Sequence, residues 1–195
     1  ILNGETKTGV TIMQMDKGVD TGDILYTRTM DIDSKETGEG LFDKLSALGA
    51  EAICEALPLL EQGKLKALPQ DESEATHVGM LKKEMGEIDW TKSACEIERL
   101  IRGLNSWPSA YTYINGKSLK IWDSDVIKDN VDNSMSVQKG TEAGTIIDKD
   151  KKSIYVACGE DILKINSLQL EGKKRMDTAS FLLGYNVEIG EKLGR

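Results

Sequence analysis

The chain has 195 residues, of which 39% are hydrophobic and 30% are charged, and it carries a net charge of −8. This length predicts one large domain or two small ones, with enough apolar residues to bury a core. No apolar run approaches the roughly 20 residues that a membrane helix needs, so the sequence excludes a membrane-spanning helix. We therefore expect a soluble protein that does not contact a membrane.

The first residue and the cysteines give expectations about the extent of the chain and its cellular compartment. Ile1 is not an initiator methionine and no secretory signal follows it, so we expect a piece of a longer chain. Cys54, Cys95 and Cys158 are widely spaced and form no CxxC pattern, so we expect neither a disulfide framework nor a metal site. Their neighbouring residues are typical of buried thiols. This cysteine usage predicts a reducing, cytoplasmic compartment.

The net negative charge of the chain comes from its first part. Residues 1–77 contain 7 Lys and Arg against 15 Asp and Glu, which leaves 18 of each sign in residues 78–195. The second part is neutral in sum but has local basic clusters, such as Lys82–Lys83 and Lys173–Arg175. Such clusters are compatible with phosphate contacts, although charged runs are more often plain solvated surface.

Two strands are predicted near the start of the chain, from Val10 to Met15 and from Ile24 to Ile32. An Asp- and Gly-rich loop, residues 16–23, joins them. Asp20 lies in this loop, where aspartates and glycines commonly form tight turns. An aspartate at a strand end beside small glycines can also serve as a catalytic base or as the partner of a histidine. Spacing favours the turn but leaves both interpretations open.

A helix is predicted from Gly40 to Glu61, because apolar residues recur there at helical spacing. Thr37 is a suitable N-cap, and Gly63 is suited to the position just after the helix. The polar stretch that follows, residues 69–87, contains Pro69 and predicts a linker between two domains.

The second domain is predicted to begin near Ile88. Ser93 and Glu96 have the spacing of a capping box that opens a short helix. Asn115-Gly116, between two alternating segments, is a strong β-hairpin signal. Three further strands and a short helix from Asp177 to Leu183 complete the pattern, listed by their sequences as TIID, SIYVACG and DILKINSLQL. About five strands with a helix predict a small barrel of the OB type.

Other side chains that could carry chemistry give weaker signals. His77, the only histidine, lies in the polar linker and is expected to be solvated. Trp90, Trp107 and Trp122 could stack on bases, but each lies beside apolar residues and is predicted to be a core residue.

Three separated blocks together resemble the methionyl-tRNA formyltransferases, in the order found in that family. The blocks are TGVTIMQMDKGVDTGDIL, GEIDWTKSACEIERLIRGLNSWPSAYTYINGKSLKIW and LKINSLQLEGKKRM. The resemblance implies transfer of a formyl group from 10-formyltetrahydrofolate to the amino group of methionyl initiator tRNA. It also implies a fold class of α/β followed by mainly β. A partial Rossmann-like formyltransferase domain (1–68) and the linker (69–87) would precede an OB-like β-barrel domain (88–195) that helps to hold the tRNA.

The resemblance also implies roles for individual residues. Asp20 matches the catalytic aspartate of the family's LDTGD motif, with Val19 in place of the usual leucine. Backbone groups of Met15, Asp16 and Gly18 would line the pterin site. The residues expected to contact tRNA phosphates are Lys82, Lys83, Arg102, Lys117, Lys120, Lys173, Lys174 and Arg175.

The sequence departs from the family in one respect that bears on activity. The family's Asn-x-His pair, which acts with the aspartate, lies ahead of the part matched here and does not occur in these residues. We therefore expect this stretch alone to be inactive, and we expect a monomer. Two alternatives stay open: another formyl-folate enzyme, such as a sugar-amine formyltransferase or a formyltetrahydrofolate hydrolase, and a non-catalytic RNA-binding module.

Overall fold

The computed structural model describes residues 1–129 and 136–194 and divides into two compact units. The first unit is Glu5–Met80, and the second combines Ile1–Gly4 with Leu81–Arg195. The division falls inside the predicted linker. Residues 130–135 and residue 195 of the predicted second domain lie outside the described residues.

The first unit is a β-hairpin with one long helix. Strands β1 (Lys7–Met13) and β2 (Ile24–Asp31) pair antiparallel, and helix α1 spans Gly38–Glu61. The Thr37 side chain accepts a hydrogen bond from Gly40 N at 3.1 Å, so the predicted N-cap is confirmed. Strand β1 begins before the predicted Val10, because its polar first residues pair with the end of β2 rather than follow an apolar alternation.

Helix α1 packs on the hairpin through small residues. Ala52 and Ala56 are its only buried positions in the described chain, at 0% and 2% exposure. An ion-pair cluster adds to this contact, because the Glu55 carboxylate accepts hydrogen bonds from Arg28 Nη1 at 2.6 Å and from Tyr26 Oη at 2.7 Å. The hairpin and the helix are therefore joined by a polar cluster as well as by alanines.

Among the described residues, the second unit is built on one antiparallel sheet, whose strands differ in length, and two α-helices. In chain order its elements are α2 (Ala94–Gly103), β3 (Ala110–Ile114), β4 (Lys117–Ile127), β5 (Ile146–Lys149), β6 (Ile154–Ala157), β7 (Ile162–Leu170), β8 (Met176–Asp177) and α3 (Thr178–Gly184). The strand order is β3-β4-β7-β6-β5, with β8 paired to β7. The short strand β8 was not predicted.

Local sequence signals account for the ends of these elements. Ser93 and Glu96 form the predicted capping box at the start of α2. Asn115 and Gly116, at φ 48° and 75°, form the predicted turn between β3 and β4. Asp177 caps α3 by accepting a hydrogen bond from Ser180 N at 2.6 Å. The predicted capping box and turn are confirmed, and the short helix predicted from Asp177 to Leu183 is found at Thr178–Gly184.

The core of the second unit lies between the sheet and α2. Ile97 of α2, Leu119 of β4 and Ile165 of β7 are each at most 2% exposed. Trp90 is 5% exposed, and its Nε1 donates to Thr112 Oγ1 at 3.0 Å. Trp90 is therefore a core residue, as predicted, with its one polar atom satisfied.

The sheet is closed by an irregular segment rather than by direct pairing of its outer strands. Residues 190–194, here called the closing segment, bond to both edges. Gly190 N donates to Ile146 O of β5 at 2.8 Å, and Gly194 N donates to Tyr113 O of β3 at 3.0 Å. The arrangement resembles a partly open barrel, and the predicted fold class of α/β followed by mainly β is confirmed.

In the described ranges, none of the helices has the length and apolar character required to cross a membrane.

Candidate functional site

The loop between β1 and β2 is shaped by one aspartate. The Asp16 carboxylate accepts hydrogen bonds from Thr21 Oγ1 at 2.6 Å and from Gly18 N at 2.9 Å. These bonds, that of Thr21 first, hold the pKa of Asp16 below its ordinary value. A side chain that accepts from the backbone two residues later forms a tight Asx-type turn. Asp16 therefore supplies the turn chemistry that the sequence attributed to the loop as a whole.

Two glycines in this loop are required by space. A Cβ on Gly22 would lie 1.8 Å from Gln14 O, and one on Gly18 would lie 2.1 Å from Thr21 Oγ1. Gln14 N also donates to Asp23 O at 2.9 Å, so the two arms of the loop meet at backbone contact. Any larger residue at position 22 would push the arms apart.

Asp20 is held by its backbone while its carboxylate stays free. Its φ is 61°, in the left-handed region that non-glycine residues seldom adopt. Gln70 Nε2 fixes this conformation by donating to Asp20 O at 2.8 Å and to Gly22 O at 2.7 Å. Among the described residues the Asp20 carboxylate accepts no hydrogen bond and makes no ion pair. Aspartate adopts this region more readily than most non-glycine residues, so the backbone fits a turn, while the free carboxylate leaves room for a chemical role.

The loop borders a concave pocket of about 330 Å³. Its lining residues are Met13, Met15, Asp16, Gly18, Val19, Asp20, Thr21 and Gly22. Met15 and Val19 give it an apolar wall, at 81% and 88% exposure. The structure therefore brings all four residues predicted for catalysis and pterin binding to one pocket, of a volume typical of small-molecule sites. The described residues contain no cluster of three or more His, Cys, Asp or Glu suited to a metal ion.

Four of the predicted tRNA contacts lie around two neighbouring turns of the second unit. Lys117 is exposed at the start of β4, next to the β3–β4 turn, and Lys173 and Lys174 are exposed in the turn after β7. The turns are joined because Glu171 N donates to Ser118 O at 2.9 Å, and Ser118 N donates to Glu171 Oε2 at 3.0 Å. Arg175 follows in the same turn. The basic cluster in EGKKRM thus lies beside the β3–β4 hairpin.

Lys82 and Lys83 reach the edge of the same sheet. They are exposed at the start of a 3-10 turn, Lys83–Gly86, which leads into a parallel pairing of Glu87 with Tyr111 of β3. Gly86 packs so closely on β3 that a Cβ there would lie 2.1 Å from Ser109 O. Both lysines are therefore fixed in place next to the first strand of the sheet.

Arg102 stands apart from these cations. Its Nε donates to Glu98 Oε2 at 2.9 Å on the same helix, and the two side chains are only 15% and 11% exposed. A nearly buried arginine that is already paired with a carboxylate has little left to offer a phosphate. The geometry supports a structural ion pair within α2 for Arg102 rather than a contact with a tRNA phosphate.

The prediction that Trp107 and Trp122 are core residues is wrong. Trp107 is 56% exposed. The ring of Trp122 is covered by two cations, with Lys120 Nζ 5.6 Å and Arg175 Cζ 5.0 Å from its centroid. Strand alternation could have predicted that Trp122 lies outside the core. Residues 120 and 122 fall on the same face of β4, opposite to the buried Leu119 and Ile121.

Comparison with family models assigns the class of protein. The model described as "Formyl transferase, C-terminal domain" matches residues 80–186, and that described as "Formyl transferase" matches residues 1–57. The chain belongs to the formyl transferase family. Apart from residues 1–4 and Met80, each match falls on one unit. The matches confirm the resemblance drawn from the three sequence blocks.

Among curated proteins, this chain is similar to methionyl-tRNA formyltransferases over nearly its whole length. That of Lachnospira eligens is 50% identical over 195 residues, which is 100% of this chain and 61% of the relative. That of Agathobacter rectalis is 50% identical over 97% of this chain and 59% of the relative. The chain therefore spans about 60% of the length of the curated relatives it matches.

Solved structures show the same fold. Methionyl-tRNA formyltransferase from Clostridium thermocellum is 25% identical, with a TM-score of 0.50 over 68% of this chain and 55% of that one. HypX from Aquifex aeolicus in complex with tetrahydrofolic acid is 19% identical, with a TM-score of 0.61 over 94% of this chain and 31% of that one. WlaRD, a sugar 3N-formyl transferase, is 19% identical, with a TM-score of 0.62 over 89% of this chain and 58% of that one.

Proposed function

We propose that the chain is part of a methionyl-tRNA formyltransferase, carrying one side of the catalytic pocket and the tRNA-binding domain. The reaction moves a formyl group from 10-formyltetrahydrofolate to the amino group of methionyl initiator tRNA. The observation that carries the proposal is identity of 42% to 50% with such enzymes over the whole chain. The fixed Asp20 backbone and its free carboxylate support it at the site.

In the proposed reaction the neutral methionine amine attacks the formyl carbon. A C–N bond forms and a tetrahedral intermediate appears, with negative charge on its oxygen and a proton to lose from its nitrogen. The intermediate then breaks its bond to the folate nitrogen, which takes up a proton. The family's Asn-x-His pair would stabilise the oxyanion. Asp20 would keep that histidine protonated or accept the amine's proton through water.

Folate binding is assigned to the same loop. Met15, Asp16 and Gly18 line the pocket, where the donors and acceptors of a pterin ring could pair with their backbone groups. The likeness of this chain to HypX, solved with tetrahydrofolic acid, supports a folate-type ligand. The exposed Met15 side chain would give the ring an apolar contact.

Binding of tRNA is assigned to the basic face of the second unit. The cations proposed for it are Lys82, Lys83, Lys117, Lys120, Lys173, Lys174 and Arg175. These cations lie beside β3, on β4 and in the turn after β7, which are neighbouring parts of one sheet. This proximity supports the assignment, whereas Arg102 is assigned to its ion pair. Phosphate contacts release counterions, so tRNA affinity should fall steeply with salt.

Two assays on the 195-residue chain test the proposal. We expect it to bind methionyl initiator tRNA with a steep salt dependence, measured by filter binding at several salt concentrations. We expect no formyl transfer from 10-formyltetrahydrofolate, because the Asn-x-His pair is not among these residues. A salt-independent affinity would overturn the assigned cations. Measurable formylation by the chain alone would overturn the requirement for that pair.

The acceptor amine separates this function from that of a sugar-amine formyltransferase. An enzyme in which an Asn-x-His segment precedes this chain is expected to formylate methionyl-tRNA and to leave a nucleotide-linked amino sugar unmodified. The cations beside β3, on β4 and in the β7–β8 turn support this choice, since a sugar nucleotide offers few phosphates to so many cations. Preference for the amino sugar would contradict the proposal.

A further inference from the structure

The side chain of Trp122 connects two cations that come from different parts of the second unit. Lys120 lies two residues before Trp122 on β4, while Arg175 lies in the turn between β7 and β8. Lys120 Nζ is 5.6 Å and Arg175 Cζ is 5.0 Å from the centroid of the indole ring. Both distances are within the range in which a ring attracts a cation. Both charges therefore lie beside the ring of Trp122.

Neither cation has an anionic partner in the described parts of the chain. Lys120 Nζ donates to the neutral hydroxyl of Ser109 at 3.3 Å, and Arg175 Nε donates to that of Ser167 at 3.4 Å. Two like charges beside one ring leave a local excess of positive charge, and nothing acidic among these contacts offsets that excess. A bound anion would relieve it, so the cluster is better suited to a ligand than to stability.

The turn that carries Arg175 is fixed by its own hydrogen bonds. Gln169 Nε2 donates to Lys173 O at 2.9 Å, and Lys173 N donates to Leu170 O at 2.9 Å. Ser167 Oγ also donates to Met176 O at 3.1 Å, which ties the residue after Arg175 back to β7. The backbone that carries Arg175 is therefore ordered before binding, so binding costs little backbone conformational entropy.

We infer that Trp122 is a positioning residue that holds Lys120 and Arg175 as a two-cation site for one backbone phosphodiester of the tRNA. The inference rests on the proposed function and adds to it a residue that makes no phosphate contact itself. A guanidinium stacked on an aromatic face keeps its in-plane N–H groups free, and these match the oxygens of a phosphate. Lys120 supplies a second charge beside them.

The test measures initiator tRNA binding by the 195-residue chain and its variants over a series of salt concentrations. Lys120→Gln and Arg175→Gln are each expected to lower the log–log salt slope by about 0.7 to 1, as for one lost phosphate contact. Lys151→Gln, which removes an exposed charge from the β5–β6 turn, is the matched control and is expected to leave the slope unchanged.

Trp122→Leu separates positioning from charge, since it retains both cations. It is expected to weaken binding by about two- to fivefold and to make the salt slope shallower. Trp122→Phe keeps an aromatic face and should recover part of the affinity. Arg175→Gln should cost less in the Trp122→Leu background than in the unsubstituted chain, because coupled residues are not additive.

The outcomes distinguish this inference from the proposed function. Binding that is indifferent to Trp122→Leu, Trp122→Phe and Arg175→Gln overturns the two-cation site alone. Failure of the unsubstituted chain to bind tRNA overturns the proposed function and this site with it. Circular dichroism and thermal unfolding check each variant, and if Trp122→Leu does not fold, the same cycle with Trp122→Phe decides the matter.

Discussion

At the scale of single residues, the loop after β1 assigns different tasks to aspartates that look alike in the sequence. Asp16 forms the turn through Gly18 and Thr21, while Asp20 keeps its carboxylate free. Spacing could not separate the two, because both lie among glycines in the same loop. The difference comes from Gln70, which fixes the Asp20 backbone from 50 residues away. No local sequence pattern predicts a contact between residues so far apart in the chain.

The replacement of Asp20 by Asn tests its proposed role. In an enzyme in which the family's Asn-x-His pair precedes this chain, Asp20→Asn should lower kcat by about 10²- to 10⁴-fold, since the amide cannot accept a proton. Folding should be little affected, because the Asp20 carboxylate has no partner among the described residues. Steady-state formylation kinetics measure the change. Asp23→Asn in the same loop is the matched control, and a similar loss there would contradict a specific role for Asp20.

The cysteines should differ sharply in reactivity. Burial raises the pKa of Cys158 to about 12, so its thiolate is scarce at pH 8. Cys54 is exposed on α1, contrary to the prediction of a buried thiol, because only Ala52 and Ala56 are buried on that helix. We expect iodoacetamide to label Cys54 in the native chain and Cys158 only in denaturant, as read by peptide mass spectrometry. Native labelling of both at equal rates would contradict the structure.

At the scale of elements, the sequence predicted what local chemistry determines. The turn at Asn115-Gly116 and the capping box of Ser93 and Glu96 follow from residues within four positions of each other. The cation cluster at Trp122 depends instead on Arg175, which is brought there by strand pairing between β4 and β7. Predicting it needs the topology of the sheet before any single residue can be interpreted.

The attachment of α1 to the hairpin should depend on pH. The pKa of Glu55 lies below its ordinary value of 4.5, chiefly through its hydrogen bond with Arg28 and then that with Tyr26. A carboxyl whose folded pKa is lowered contributes stability above its unfolded pKa, and this contribution is lost as the pH falls through the folded pKa. Urea unfolding monitored by helix signal should therefore show weaker stability near pH 3 than at pH 6.

Glu55→Gln should reduce that dependence, because it removes the titrating group. Glu61→Gln, at the end of the same helix, is the control, since Glu61 makes no ion pair among the described residues. The same acid destabilisation in the unsubstituted chain and in Glu55→Gln would show that the cluster contributes nothing measurable.

At the scale of the molecule, the two units have very different cores. The second unit buries a continuous set of aliphatic side chains on β4 and β7, whereas α1 leaves Phe42 74% exposed and Leu57 55% exposed. Stability follows buried apolar surface. Family resemblance predicted the order of the units, but the uneven distribution of burial only emerges from the packing.

Hydrogen exchange should report this difference. Amides in the middle of β4 and β7 are expected to exchange about tenfold or more slowly than those of β1 and β2, since local opening is easier where less apolar surface is lost. Mass spectrometry of peptic fragments at pH 7 gives both rates from one sample. Equal protection of the two units would show that they unfold together.

The closing segment has a consequence for biosynthesis. A ribosome makes β3 to β7 before it makes residues 190–194, so the nascent sheet has two edges with unpaired peptide groups until that segment emerges. Exposed strand edges are sites where nascent chains associate wrongly. We expect chaperones that bind nascent polypeptides to bind these exposed edges after Leu170 has been synthesised and before residues 190–194 leave the ribosome.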